Sequence, residues 1–255
     1  MFKKLLLVSL LLSTVLPADK ITIFAASDLK FALDSVRDVF LQQNPKDQIE
    51  IIYGSSGKGM HQIENGAPYH LFFSADMNFV KRLYTNGDVA TKPKPYAIGR
   101  IVIWSRHKNF APERGFENLK ASWVQKIAIA NPAHAPYGEK AKQAMQKAGI
   151  YDDTQSKLVM GENISQAAGF VTSGAADVGI IALSLARAPA IANSDHHTYY
   201  LIDDRLHSPL IQGYGITKTG SNLPLAKKFY DFMQTENAAA MMKKYGFGVP
   251  SNYKE

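Results

Sequence analysis

Apolar positions along this chain fall into two alternating rhythms. Ile21-Thr22-Ile23-Phe24 is a short β-type run, after which Leu29, Phe31, Ala32, Val36, Val39, Phe40 and Leu41 recur at helical spacing. Ser27 or Asp28 is the natural N-cap of that helix. The pattern repeats. Ile49, Ile51 and Ile52 lead into a helical pattern (Met60, Ile63) closed by Gly66, and the strand His70-Leu71-Phe72-Phe73 leads into Phe79, Val80, Leu83 and Tyr84, closed by Gly87. A Pro- and Lys-rich loop, Thr91 to Pro95, precedes the strongly β run Ile101-Val102-Ile103-Trp104. Beyond it come a strand at 127–129, a helix at about 138–148, a strand at 158–159, a helix at 164–173 and a strand at 178–181. A β-like run at 209–217 and helices at 225–233 and 238–245 complete the pattern. Strands alternating with helices predict an α/β protein built on parallel sheets.

A faint internal echo suggests two similar lobes. Asn65-Gly66-Ala67-Pro68-Tyr69 and Ser173-Gly174-Ala175-Ala176-Asp177 both set Gly-Ala between a helix and an apolar strand.

The N-terminus reads differently. Met1-Phe2-Lys3-Lys4, the apolar run Leu5 to Leu12 and the segment Ser13 to Ala18 have the order of a secretory signal peptide, with cleavage expected after Ala18. The run is too short for a stable membrane span. Loss of Lys3 and Lys4 takes the formal net charge from +7 to +5, an unclustered excess that gives no reason to expect nucleic acid as a partner. The absence of cysteine excludes disulfides, thiolate metal sites, a cysteine nucleophile and a lipid-modified cysteine. A secreted, untethered protein of the periplasm is the expectation, and with 46% hydrophobic residues the chain can bury one large core or two moderate ones.

The candidate chemistry gathers at Tyr53-Gly54-Ser55-Ser56-Gly57-Lys58-Gly59-Met60, a strand-turn-helix junction. The first N–H groups of a helix lack intrahelical partners and, with the positive end of the helix dipole, make such a turn a place for an anion. Ser55 and Ser56 add hydroxyl donors, while Gly54 and Gly57 let backbone approach a ligand. A nucleotide-binding P-loop needs four residues before its Gly-Lys pair, and only two intervene here. A hydrolase elbow needs Gly-x-Ser-x-Gly, whereas Gly57 directly follows Ser56. Three further helix starts carry donors: Ser27-Asp28, Pro136-Tyr137-Gly138 and Asn163-Ile164-Ser165. Two lie in each half of the chain, and facing lobes would bring all four onto one small ligand. Enzyme signals are weak: the seven histidines show no metal spacing, and Glu64, Glu139 and Glu162 have no sequence partner that suggests a base. Trp104 and the pair Tyr199-Tyr200 are expected in core or cleft wall.

These residues together resemble the periplasmic molybdate-binding proteins of ABC transporters, the ModA family. The likeness is carried by Phe24-Ala25-Ala26-Ser27-Asp28-Leu29, by Gly54-Ser55-Ser56-Gly57 with Gln62-Ile63 and Gly66-Ala67-Pro68, and by Phe72-Phe73-Ser74-Ala75-Asp76. Asn131-Pro132, His134, Pro136-Tyr137-Gly138, Gly174-Ala175-Ala176-Asp177 and Tyr245-Gly246-Phe247 extend it over nearly the whole mature chain. The resemblance implies a two-lobe type II periplasmic-binding-protein fold with hinge strands between the lobes. Lobe one would be 19–99 plus 213–255 and lobe two 100–212, the crossings lying near 97–104 and 208–217.

It further implies that Ser27, Asp28, Ser56, Tyr137 and Ile164 hold molybdate, with tungstate as an alternative cargo, through hydroxyl and backbone N–H donors. No catalytic group, cofactor or free metal ion is implied. The partners would be the oxyanion and an ABC permease with its ATPase, served by a monomer. Sulfate and, more remotely, a secreted serine hydrolase using Ser56 remain as other readings; a signal peptide in place of a DNA-binding helix-turn-helix argues against a regulator. Two positions depart from the family pattern. Ala182 stands where some members place a tyrosine hydroxyl, and Asp28 where Ser or Asn is common. A carboxylate facing a dianion is repelled at short range, so Asp28 is expected to offer its backbone N–H while its side chain caps the following helix or pairs with Lys30 or Lys58.

Overall fold

The protein is described by a computed structural model covering residues 19–250. The segment read as a signal peptide lies outside those residues. Among the described residues ten strands form two five-stranded sheets. In chain order they are β1 (Lys20–Ala26), β2 (Gln48–Gly54), β3 (Leu71–Ser74), β4 (Lys94–Gly99), β5 (Ile101–Trp104), β6 (Ile127–Ala130), β7 (Leu158–Gly161), β8 (Val178–Ala182), β9 (Tyr199–Leu201) and β10 (Leu210–Ile216). The first sheet has the order β2-β1-β3-β10-β4 and the second β7-β6-β8-β5-β9. Each sheet carries its own core: Ile21, Ile23, Leu33, Phe73, Tyr214 and Phe229 are buried in the first lobe, and Ile101, Trp104, Ile129, Met145 and Ile180 in the second. A smaller cluster, with Phe24, Met60, Phe72 and Leu83, seats the helices Ser56–Glu64 and Met77–Asn86 on the first sheet.

The sheets are mixed, which corrects the expectation of purely parallel ones. The pairs β1/β2, β1/β3, β6/β7 and β6/β8 are parallel, as helical crossovers require. Strands β10 and β5 run antiparallel to their neighbours. Both adjoin the passages between the sheets: the chain leaves the first sheet at Gly99, enters the second at Ile101, and re-enters the first at Leu210. One strand starts earlier than the hinge crossing expected near 97–104, and one was not foreseen. β4 begins inside the stretch expected to be loop, because an edge strand tolerates Pro95, and β9 is the opposite sheet's edge, formed by Tyr199-Tyr200-Leu201. Trp104 is core, with its indole N–H donating to the His196 carbonyl at 2.6 Å.

The Gly-Ala echo has a conformational meaning: Gly66 and Gly174 each leave a helix with left-handed φ, 81° and 78°. Among the described residues no helix is long and apolar enough to cross a membrane.

Candidate functional site

The four helix starts converge between the lobes. Ser27, Asp28 and Leu29 form a single 3-10 turn after β1, ahead of the helix Lys30–Gln43; the other three starts open the helices Ser56–Glu64, Pro136–Lys147 and Ile164–Ser173. One small cavity is lined by Ala26, Ser27 and Asp28, by Gly54, Ser55 and Ser56, by Ala75, by Ala135, Pro136 and Tyr137, and by Ile164. All five residues singled out in the sequence are therefore on its wall, three from the first lobe and two from the second. Each is nearly or fully buried.

Ser56 is the hydroxyl best placed for a ligand. Its Oγ accepts the Ala75 N–H at 2.9 Å, which uses a lone pair and leaves the hydroxyl hydrogen to donate. Ser55 is occupied elsewhere: its Oγ meets His134 Nδ1 at 2.9 Å across the lobe boundary. Ser27 also bridges the lobes, its hydroxyl donating to Asn163 Oδ1 at 3.1 Å and its carbonyl accepting the Ser165 hydroxyl at 2.8 Å. Tyr137 and Ile164 sit within the first two positions of their helices, where backbone N–H groups have no intrahelical acceptor. The hydroxyl lacking at Ala182 has a neighbour in Ser184, which donates to the Asp28 carbonyl at 2.8 Å rather than into the cavity.

Asp28 departs from expectation. Its side chain makes no helix cap, and Lys58 pairs instead with Glu162 of the other lobe at 2.5 Å. The carboxylate turns inward, where Oδ2 accepts the Tyr137 hydroxyl at 2.9 Å and the Gln212 amide at 2.8 Å. Burial pushes the carboxyl up from 3.8 to about 6, against the Gln212 and Tyr137 side-chain hydrogen bonds and the backbone N–H groups of Asp28 and Leu29, which pull it down. Burial and the adjacent carboxylate push the Tyr137 hydroxyl well above its ordinary value, so it stays a donor. Gln212 was not foreseen as part of the site. A glutamine in a β-run carries no motif, and only the fold shows that it sits beside Asp28.

The glycines of the second turn are closely packed, and Gly54 also lines the cavity. A Cβ on Gly54 would lie 2.7 Å from the Phe24 ring, and one on Gly57 would lie 2.6 Å from the His134 carbonyl oxygen, which accepts the Gly57 N–H at 3.0 Å. Ser56 has no histidine partner among the described residues. The described residues also contain no cluster of three or more acidic, His or Cys side chains fit for a cation.

A family model described as a bacterial extracellular solute-binding protein matches residues 21–248. The molybdate-binding protein ModA of Rhodobacter capsulatus is 35% identical over 196 residues, 76% of this chain and 75% of that protein. ModA of Azotobacter vinelandii is 30% identical over 240 residues, 94% of each. The chain belongs to the ModA family. ModA proteins are solute binders rather than enzymes, and the fold agrees: the structure of the Azotobacter vinelandii periplasmic molybdate-binding protein superposes with a TM-score of 0.84 at 30% identity, covering 91% of this chain and 100% of that one. Outside the ModA family, the sulfate-binding protein SubI of Mycobacterium tuberculosis reaches a TM-score of 0.72 at 16% identity over 92% of this chain and 88% of that one, a likeness of fold alone.

Proposed function

We propose that this chain captures molybdate, and tungstate with it, in the periplasm and delivers it to an ABC permease driven by its ATPase. Convergence of four donor-bearing helix starts from two lobes on one small cavity carries the reading. The Ser56 hydroxyl and the backbone N–H groups of Ser27, Asp28, Tyr137 and Ile164 hold the oxyanion, and closure of the lobes removes it from water. Fixed donors favour a fully deprotonated dianion. Sulfate shares that charge and shape, so rejecting it falls to the size of the cavity. The leader-like N-terminus supports a periplasmic location.

A thermal-shift series with molybdate, tungstate, sulfate and phosphate tests this. A ligand at 100 times its Kd adds about 2.7 kcal/mol, or roughly 5–10 °C of Tm for a chain of this size. Molybdate and tungstate are expected to give that shift while sulfate at equal concentration gives little. Equal shifts with all three would make the protein a general dianion binder, and no shift with any would remove the reading.

A further inference from the structure

Gln212 lies on β10 and is fully buried, behind the cavity rather than on its wall. Its amide nitrogen donates twice, to Asp28 Oδ2 at 2.8 Å and to the Tyr137 hydroxyl oxygen at 2.9 Å. Tyr137 in turn donates to Asp28 Oδ2 at 2.9 Å. The three side chains close a ring in which Gln212 gives two hydrogens, Tyr137 gives one and takes one, and Asp28 takes two. This fixes the amide's orientation, since the reverse would set Oε1 against a carboxylate oxygen.

Both passages between the lobes are shaped around this ring. At the outgoing one, a Cβ on Gly99 would come within 2.4 Å of the Tyr137 hydroxyl and 2.7 Å of Gln212 Nε2. At the returning one, the pairing of β10 with β4 slips between Gln212 and Gly213, an irregularity of the kind that re-aims a side chain. Among the described residues no cation joins the ring. Asp28 Oδ1 and Gln212 Oε1 are buried without a hydrogen-bond partner among the described residues, and both side-chain donors to the carboxylate, Tyr137 and Gln212, are neutral and meet Oδ2.

We propose that Gln212 is a positioning residue for the anion site: together with Tyr137 it holds the Asp28 carboxylate back from the bound oxyanion, so that a site containing an acidic side chain can accept a dianion. The inference rests on the oxyanion reading above. Gln212 touches no ligand; it acts through Asp28. Without its amide, the carboxylate loses one of its two side-chain restraints and can swing its charge toward the cavity.

The test is a double-mutant cycle read by titration calorimetry with molybdate. Gln212→Met keeps the volume and removes both donors. It is expected to weaken binding at least tenfold in the wild-type background and less than threefold in the Asp28→Asn background, where no charge remains to restrain. A purely structural role for Gln212 would give the same loss in both backgrounds, and that result, or no loss in either, overturns the proposal. Melting of the ligand-free variants verifies folding, and where Gln212→Met does not fold, Gln212→Asn is taken through the same cycle with the same criterion. A wild-type protein that binds no oxyanion removes the underlying reading as well, whereas tight wild-type binding with equal losses sinks only this inference.

Discussion

The Tyr137 hydroxyl crosses from one lobe to the other to donate to Asp28 Oδ2 at 2.9 Å, in a region closed to solvent. An acidic side chain at the heart of the proposed oxyanion site is thereby held in a network of neutral donors.

Replacing the charge while keeping the acceptor separates the two aspects of Asp28. Asp28→Asn still offers an oxygen to Tyr137 and Gln212, and it turns the unpartnered Oδ1 position into a donor. Molybdate affinity should stay within about threefold of wild type or improve, well short of the ~1.4 kcal/mol of a tenfold change. Calorimetry showing a loss beyond tenfold would mean that the carboxylate itself contacts the metal centre.

The raised Asp28 pKa gives a pH dependence of definite sign. Between 3.8 and about 6 the folded protein binds more protons than the unfolded chain. The contribution of this group to stability is therefore fully present below 3.8 and lost as pH rises through 6. A neutral Asp28 also tolerates the dianion better, so molybdate affinity should rise as pH is lowered from 8 toward 5.5, by well under about tenfold per unit because Tyr137 and Gln212 hold the ionised carboxylate back. In Asp28→Asn the profile should be flat; a wild-type profile equally flat would show that the carboxyl does not sense the anion.

Ser56→Ala removes the hydroxyl whose hydrogen is left for the ligand. A hydrogen bond to a charged partner contributes about 1.5–3 kcal/mol, so affinity should fall roughly ten- to hundredfold. Unchanged affinity in a folded variant would assign the contact elsewhere.

Gly57→Ala tests closure rather than ligation. Helical backbone accepts alanine readily, but the new Cβ would lie 2.6 Å from the His134 carbonyl oxygen of the other lobe. The ligand-free Tm should hold or rise while molybdate affinity drops at least tenfold; wild-type affinity would mean that the lobes close differently.

Much of this was legible along the chain because it is local. Helix starts at Ser56, Pro136 and Ile164 follow from strand ends, proline and capping residues, and the structure opens helices at those residues. What escaped is non-local. The partner of Asp28 was sought among nearby cations, yet it is Tyr137 at a separation of 109 residues and Gln212 at 184, and no periodicity encodes either contact. That Gly54 and Gly57 also pack against Phe24 and His134 is not legible locally, because those partners approach only after folding. The antiparallel pairing of β5 and β10 likewise depends on where the chain crosses between sheets, not on local pattern.

Two backbone amides are tied across the boundary, Gly57 to the His134 carbonyl at 3.0 Å and Ser165 to Ser27 Oγ at 3.3 Å. Neither bond survives separation of the lobes, so each amide takes up deuterium only while the protein is open. Their exchange rates make these two positions internal clocks for how long a captured anion stays enclosed, read from the protein itself without a label on the ligand.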